Sequence, residues 1–140
     1  MLQQLKDEVV PNEATIECLV RAFYDRARQD TVLGPIFASH VNDWDEHLQK
    51  ISDFWSSVIL RSGRYRGRPV PAHVPLDIDA AHFDRWLELF GQTARDVCEP
   101  SVAEEFIERA RMIAGSLELA VASHHGVIVA PGGRYWKPEC

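Results

Sequence analysis

Four stretches of this chain repeat apolar residues at spacings of three and four, and no stretch alternates convincingly in the manner of a half-buried strand. An α-helix turns once in about 3.6 residues, so such spacing lays one apolar stripe along a helix and leaves the other faces to water. The first stripe is Ile16, Leu19, Val20, Phe23 and Ala27, with Asn12 placed to accept from the first unpaired amides. The second is Trp44, Leu48, Ile51, Phe54, Trp55, Val58 and Ile59, with Asn42 as its expected cap. The third is Phe83, Trp86, Leu87, Phe90, Ala94 and Val97, capped by Asp79. The fourth is Phe106, Ile107, Ala110, Ile113, Ala114 and Leu117. Ser101 with Glu104 predicts a capping box at its start, and Gly126 suits its end.

The links are as informative as the stripes. "LGPIF" (33–37) predicts a tight turn or one turn of helix. "RSGRYRGRPVPAHVP" (61–75) is too dense in proline and glycine for a long helix. "APGGRYWKPEC" (130–140) predicts an irregular or disordered tail. The expected fold is all-α, either a bundle or a smaller globin-like arrangement with one long irregular link. The folded unit is expected over 1–126 and the tail over 127–140. A chain of 140 residues can bury a core without staples.

Charge and cysteines narrow the function. The net charge of −6 argues against nonspecific nucleic-acid binding, which needs a basic surface. Cys18, Cys98 and Cys140 are far apart with no CxxC, against a disulfide framework or a structural zinc site. No apolar run approaches the roughly 18 residues of a membrane span. The opening "MLQQLKDEVV" does not have the form of a signal peptide. The expected compartment is the cytoplasm, with neither nucleic acid nor membrane as partner.

Several polar groups fall on faces that should be apolar. Tyr24 follows Phe23 in the first stripe, His47 lies three residues after Trp44 and four before Ile51, and Trp86 brings an indole N–H into the third. Buried hydroxyl, imidazole and indole groups want partners, and three on three helices could converge on one polar object. His73 stands apart on the stiff segment "RPVPAH". One imidazole cannot build a structural zinc site, but it can hold a haem, because the porphyrin supplies four more nitrogens. Taken singly, each residue has a plainer reading. A lone histidine on an apolar face is more often a satisfied core residue, and Tyr24 and Trp86 are ordinary core aromatics on base rates. His82 reads as a surface or cap-region residue, while His40, His124 and His125 read as exposed. Periodicity by itself does not select haem.

Taken in order, the strings "AFYDRARQDTVLGPIF", "WDEHLQKISDFW", "YRGRPVPAH", "FDRWLELF" and "RARMIA" resemble the truncated haemoglobins of group III. The resemblance runs from about residue 12 to residue 125. It implies a globin-like, truncated helical sandwich with a reduced, loop-like segment before the proximal histidine. The paired-glycine motifs common in other truncated groups are absent, in keeping with group III. By the same resemblance His73 takes the place of the proximal iron ligand, and His82 does not bind. Tyr24 and Trp86 take the distal tyrosine and tryptophan places, and His47 the distal or gate histidine. Phe37 would pack on the porphyrin face, with Phe23, Ile51 and Trp55 lining the pocket. Tyr65, Arg64, Arg66 or Arg68 would reach the propionates.

The implied cofactor is a b-type haem (iron protoporphyrin IX), held without covalent attachment, since the chain lacks CxxCH. The implied ligands are O2, CO and NO, held tightly and released slowly. Slow release suits redox chemistry on NO or peroxide better than delivery. NO dioxygenase or peroxidase-like turnover would need an external electron-donor reductase, since no flavin or nicotinamide fingerprint is present. The alternative is a haem-free α-helical interaction or signalling module that keeps the globin shape.

Overall fold

A computed structural model describes residues 10–73, 75–130 and 132–138. Among the described residues six helices follow one another: α1 (Glu13–Ala27), α2 (Gly34–His40), α3 (Trp44–Leu60), α4 (Pro69–His73), α5 (Ala80–Val97) and α6 (Pro100–His124). Among the described residues there is no strand. The four striped stretches are α1, α3, α5 and α6. "LGPIF" opens α2, and among the described residues of the Arg61–Pro75 link the only helix is the short α4.

The caps explain where the helices begin. Asn12 accepts from the Thr15 amide at 2.9 Å, and the Thr15 hydroxyl oxygen accepts from the Asn12 amide at 3.4 Å. Asp79 and His82 form an analogous box: Asp79 accepts from the Ala81 amide at 3.0 Å, while His82 Nδ1 accepts from the Asp79 amide at 3.0 Å. Two expected caps are displaced. Asp43, not Asn42, caps α3, accepting from the Glu46 amide at 3.1 Å. The two side chains cap about equally well, so the apolar stripe that must turn inward from Trp44 decides between them. At α6, Glu99 accepts from the amides of Ser101 and Val102 at 3.0 and 3.4 Å, in place of the Ser101–Glu104 box. Pro100 sets the helical φ at the first position, so the helix starts earlier than that box would allow. Glu104 faces Arg95 instead, at 3.5 Å. At the far end Gly126 takes φ +79°, a conformation that favours glycine, and the Val127 amide closes back onto the Ala122 carbonyl at 2.9 Å.

α1 packs on α3 and α5, α5 packs on α6, and α4 lies against α6. The main core joins Ile16, Leu19 and Phe23 of α1 to Trp55, Phe90 and Phe106. Phe90 is stacked between Trp55 and Trp86, with ring centroids 5.1 Å away on each side. The α1–α2 turn is tied to α5 through Asp30, whose side chain is only 6% exposed. Its Oδ1 accepts from Arg85 Nε at 2.8 Å and its Oδ2 from the amides of Val32 and Leu33 at 3.0 Å each. Gly34 is needed in that turn, because a Cβ there would stand 2.8 Å from the Arg28 carbonyl oxygen.

A second cluster gathers Ile78, Phe83, Ala114, Leu117, Val121 and Ala122 around Tyr135 of the tail. The described part of that tail has no helix, yet Tyr135 is 2% exposed. No described helix is long and apolar enough to cross a membrane.

Candidate functional site

The stripes of α1, α3 and α5 do not close completely on the wall made by α4 and α6. They leave a cavity of about 320 Å3 between the two walls. Its lining is mostly aliphatic and aromatic, from Leu33, Ile36, Ile51, Phe54, Trp55, Phe83, Ile113 and Leu117 among others. Its polar lining residues are few: Tyr24, His47, Lys50, Tyr65, His73, His82 and Trp86. A mostly apolar pocket with a few convergent polar groups is the usual form of a small-molecule or cofactor site.

At one corner the lining residues Tyr24, Phe37 and His47 pack with Trp44, which stands outside the lining. Tyr24 lies edge-on to Phe37, Trp44 and His47, with centroids 5.2, 5.8 and 5.2 Å away. Trp44 meets His47 edge-on at 5.5 Å and carries the Arg28 guanidinium 4.2 Å from its ring centroid. The Nε2 of His47 is buried and has no hydrogen-bond partner among the described residues. Such a nitrogen costs on the order of 1–3 kcal/mol unless something meets it. Burial holds the His47 imidazole below its ordinary pKa, and repulsion from Lys50 and His73 adds to the effect. Burial likewise pushes the Tyr24 phenol well up, so both groups are neutral donors or acceptors at neutral pH. Neither the Tyr24 hydroxyl nor the Trp86 indole N–H bonds to another described residue.

His73 ends α4, where its Nδ1 lies 2.6 Å from the Pro69 carbonyl oxygen. A carbonyl only accepts, so Nδ1 carries the proton and donates. That leaves the Nε2 lone pair of the neutral ring free for a metal, the arrangement that orients metal-binding histidines. No cluster of three or more carboxylate, thiol or imidazole groups that could hold a metal ion occurs among the described residues. A metal here would therefore need ligands from a cofactor.

The cavity brings together His73, Tyr24, His47, Trp86, Phe37, Ile51, Trp55 and Tyr65. It does not include Phe23. That ring lies one layer behind, edge-on to Tyr24, Trp86 and Phe90 at 5.1, 5.8 and 5.6 Å. One residue along a helix is about 100° of rotation, so only one of the Phe23–Tyr24 pair can face the void. Arg64 is turned away, pairing with Glu13 at 3.0 Å and Asp53 at 3.3 Å. Arg66 and Arg68 are exposed and outside the lining.

Phe54 and Lys50 also line the cavity, although only their helical spacing from His47 and Ile51 hints at it in the sequence. His82, outside the site that the resemblance implies, both caps α5 and lines the cavity. Only the place of α5 against α4 and α6 could have shown that.

Comparison with known proteins gives concordant findings. Residues 8–118 match the sequence profile of the family described as bacterial-like globin. The group 3 truncated haemoglobin ctb of Campylobacter jejuni is 32% identical over 120 residues, covering 82% of this chain and 94% of that protein. The crystal structure of the group III truncated haemoglobin from Campylobacter jejuni superposes with a TM-score of 0.75 at 33% identity, covering 79% of this chain and 91% of that one. The truncated oxygen-avid haemoglobin of Bacillus subtilis superposes with a TM-score of 0.67 at 26% identity, covering 76% and 92%.

Proposed function

The chain belongs to the bacterial-like globins, as a truncated haemoglobin of group III, and on that premise we propose that the cavity holds a b-type haem on His73 and binds diatomic ligands. The observation that carries the proposal is the pairing of two imidazoles in one apolar cavity. His73 has its Nδ1 spent on Pro69 and its Nε2 available, while His47 Nε2 is buried with no described partner. A haem supplies an iron with four porphyrin nitrogens, one position for a protein imidazole and one for O2, CO or NO.

The chain's residues then divide the work. His73 offers the lone pair from the short α4 turn. Phe37, Ile51, Phe54 and Trp55 exclude water and supply apolar contact area. Tyr65 closes the rim, held by its amide on the Ser57 hydroxyl at 2.9 Å and by its ring edge-on to Phe54 at 5.3 Å. The Tyr24 hydroxyl, the Trp86 indole N–H and His47 Nε2 stand ready to bond the polar end of a diatomic ligand. Lys50 lines the cavity, whereas Arg64 does not, and it takes the propionate role by giving up an exposed surface pair with Glu46 at 3.1 Å.

Donors of this kind retain a ligand, and retention suits chemistry on that ligand better than delivery. We therefore assign NO dioxygenation or a peroxidase-like reaction as the use, with electrons from an external reductase and the cytoplasm as the compartment. Protein made with ample haem should be red, with a Soret band that shifts under CO in the ferrous state. Colourless protein from the same expression would instead point to a haem-free helical module. Catalytic turnover of NO or peroxide with a reductant supports the enzyme, and a single turnover supports a binder.

A further inference from the structure

The family match ends at residue 118, yet residues beyond it fasten α5 to α6 beside the cavity. Glu118 sits in α6 next to the cavity residue Leu117, and its side chain is only 7% exposed. Its one cationic partner among the described residues comes from the tail. Arg134 grips it with a fork, Nε to Oε2 at 3.0 Å and Nη2 to Oε1 at 3.1 Å. The same guanidinium reaches Asp84 at 2.7 Å and the Ala80 carbonyl at 3.2 Å, both on α5. The Tyr135 amide donates to Glu118 at 2.8 Å.

The tail also closes the start of α5. The Tyr135 carbonyl accepts from the Ala80 amide at 2.7 Å, one of the first-turn donors that a helix leaves unpaired. Asp79 spends one oxygen on capping α5 and the other on the Lys137 amide, at 3.0 Å. The Tyr135 ring packs with Ile78, Phe83 and Leu117, which all line the cavity.

His73 is six residues upstream of Asp79, on a helix of five residues with no buried side chain. So short a helix cannot hold its own position, and its place is set by what it is tied to. Downstream it is tied to α5 through 76–79, and there the tail holds the other end.

We propose that Arg134–Lys137 form a strap whose residues position the His73 side of the cavity, so that retention of the cofactor depends on a segment outside the matched globin region. This rests on the haem reading above. Removing the guanidinium leaves the buried Glu118 carboxylate unpaired, a state far costlier than an exposed charge. The tail then has reason to leave, and the 76–83 segment to loosen.

The test uses three full-length variants. Arg134→Ala breaks the fork, Arg134→Lys keeps the charge without the fork, and Ile107→Val weakens the main core away from the cavity. Two readouts are taken: haem transfer to excess apomyoglobin, and amide exchange of residues 76–83 in the haem-free chain. Arg134→Ala should release haem about tenfold faster than wild type, as when a residue supporting a metal ligand is lost. Arg134→Lys should fall between the two, and Ile107→Val should release at the wild-type rate although its urea midpoint drops. Exchange at 76–83 should quicken only in the Arg134 variants. Equal haem release by Arg134→Ala and Ile107→Val, or unchanged exchange at 76–83, overturns the strap. If wild-type protein takes up no haem, the haem reading fails on its own, and the exchange measurement still decides whether the strap holds 76–83.

Discussion

At the scale of single residues, the cavity separates groups that the sequence alone could not. Tyr24, His47 and Trp86 drew notice because they are polar on apolar stripes, and all three line the cavity. Phe23 and Tyr24 are neighbours in the same stripe, and hydrophobic spacing cannot say which of two adjacent positions meets a void. His82 was legible as a cap but not as lining, since capping is local and lining is not. The donors carry a direct expectation. A hydrogen bond to a charged acceptor contributes about 1.5–3 kcal/mol, so losing one should speed O2 release by roughly ten- to a hundredfold. Stopped-flow O2 off-rates of Tyr24→Phe and Trp86→Phe should show that increase, and rates equal to wild type would remove these residues from the ligand. His47 has a different signature. In the haem-free chain its Nε2 is an unmet buried nitrogen, so His47→Leu should leave the urea midpoint unchanged or raise it, by up to about 1–3 kcal/mol in stability. A clear loss of stability would mean that the nitrogen is satisfied in solution.

At the scale of elements, the stripes predicted four helices because burial of one face decides a helix more strongly than propensity does. Their starts were less legible. Asn42 and Asp43 are near-equal caps, and Ser101 lost to Glu99 because Pro100 fixes the preceding turn. The pairing of Asp30 with Arg85 was invisible, since nothing local links residues in different helices. Its consequence can be measured. The Arg85 guanidinium, bonded to Asp30, holds that carboxyl below its usual range, against the opposing effect of burial. A carboxyl lowered in the folded state stabilises the fold above its unfolded pKa of about 4, and that stability is lost as the pH falls through the folded value. Asp30→Asn should therefore lower stability by about 1.5–3 kcal/mol near neutral pH, with the deficit against wild type shrinking as the pH drops below about 4. Urea titrations of both proteins across that range check it, and a deficit independent of pH would assign the loss to packing instead.

At the scale of the whole molecule, the globin arrangement was legible through an ordered set of strings rather than through any one of them. The tail was legible only as irregular sequence. Its anchoring depends on Glu118, Asp79 and Asp84 being brought side by side, and chain order does not reveal that. The account as a whole stands on the His73 imidazole, and one measurement meets it directly. His73→Gly, expressed with ample haem, should lose the wild-type Soret spectrum and regain it when imidazole is added, because free imidazole can fill the space and supply the missing nitrogen. A His73→Gly protein whose spectrum matches wild type without imidazole would contradict the assignment of this residue as the iron ligand.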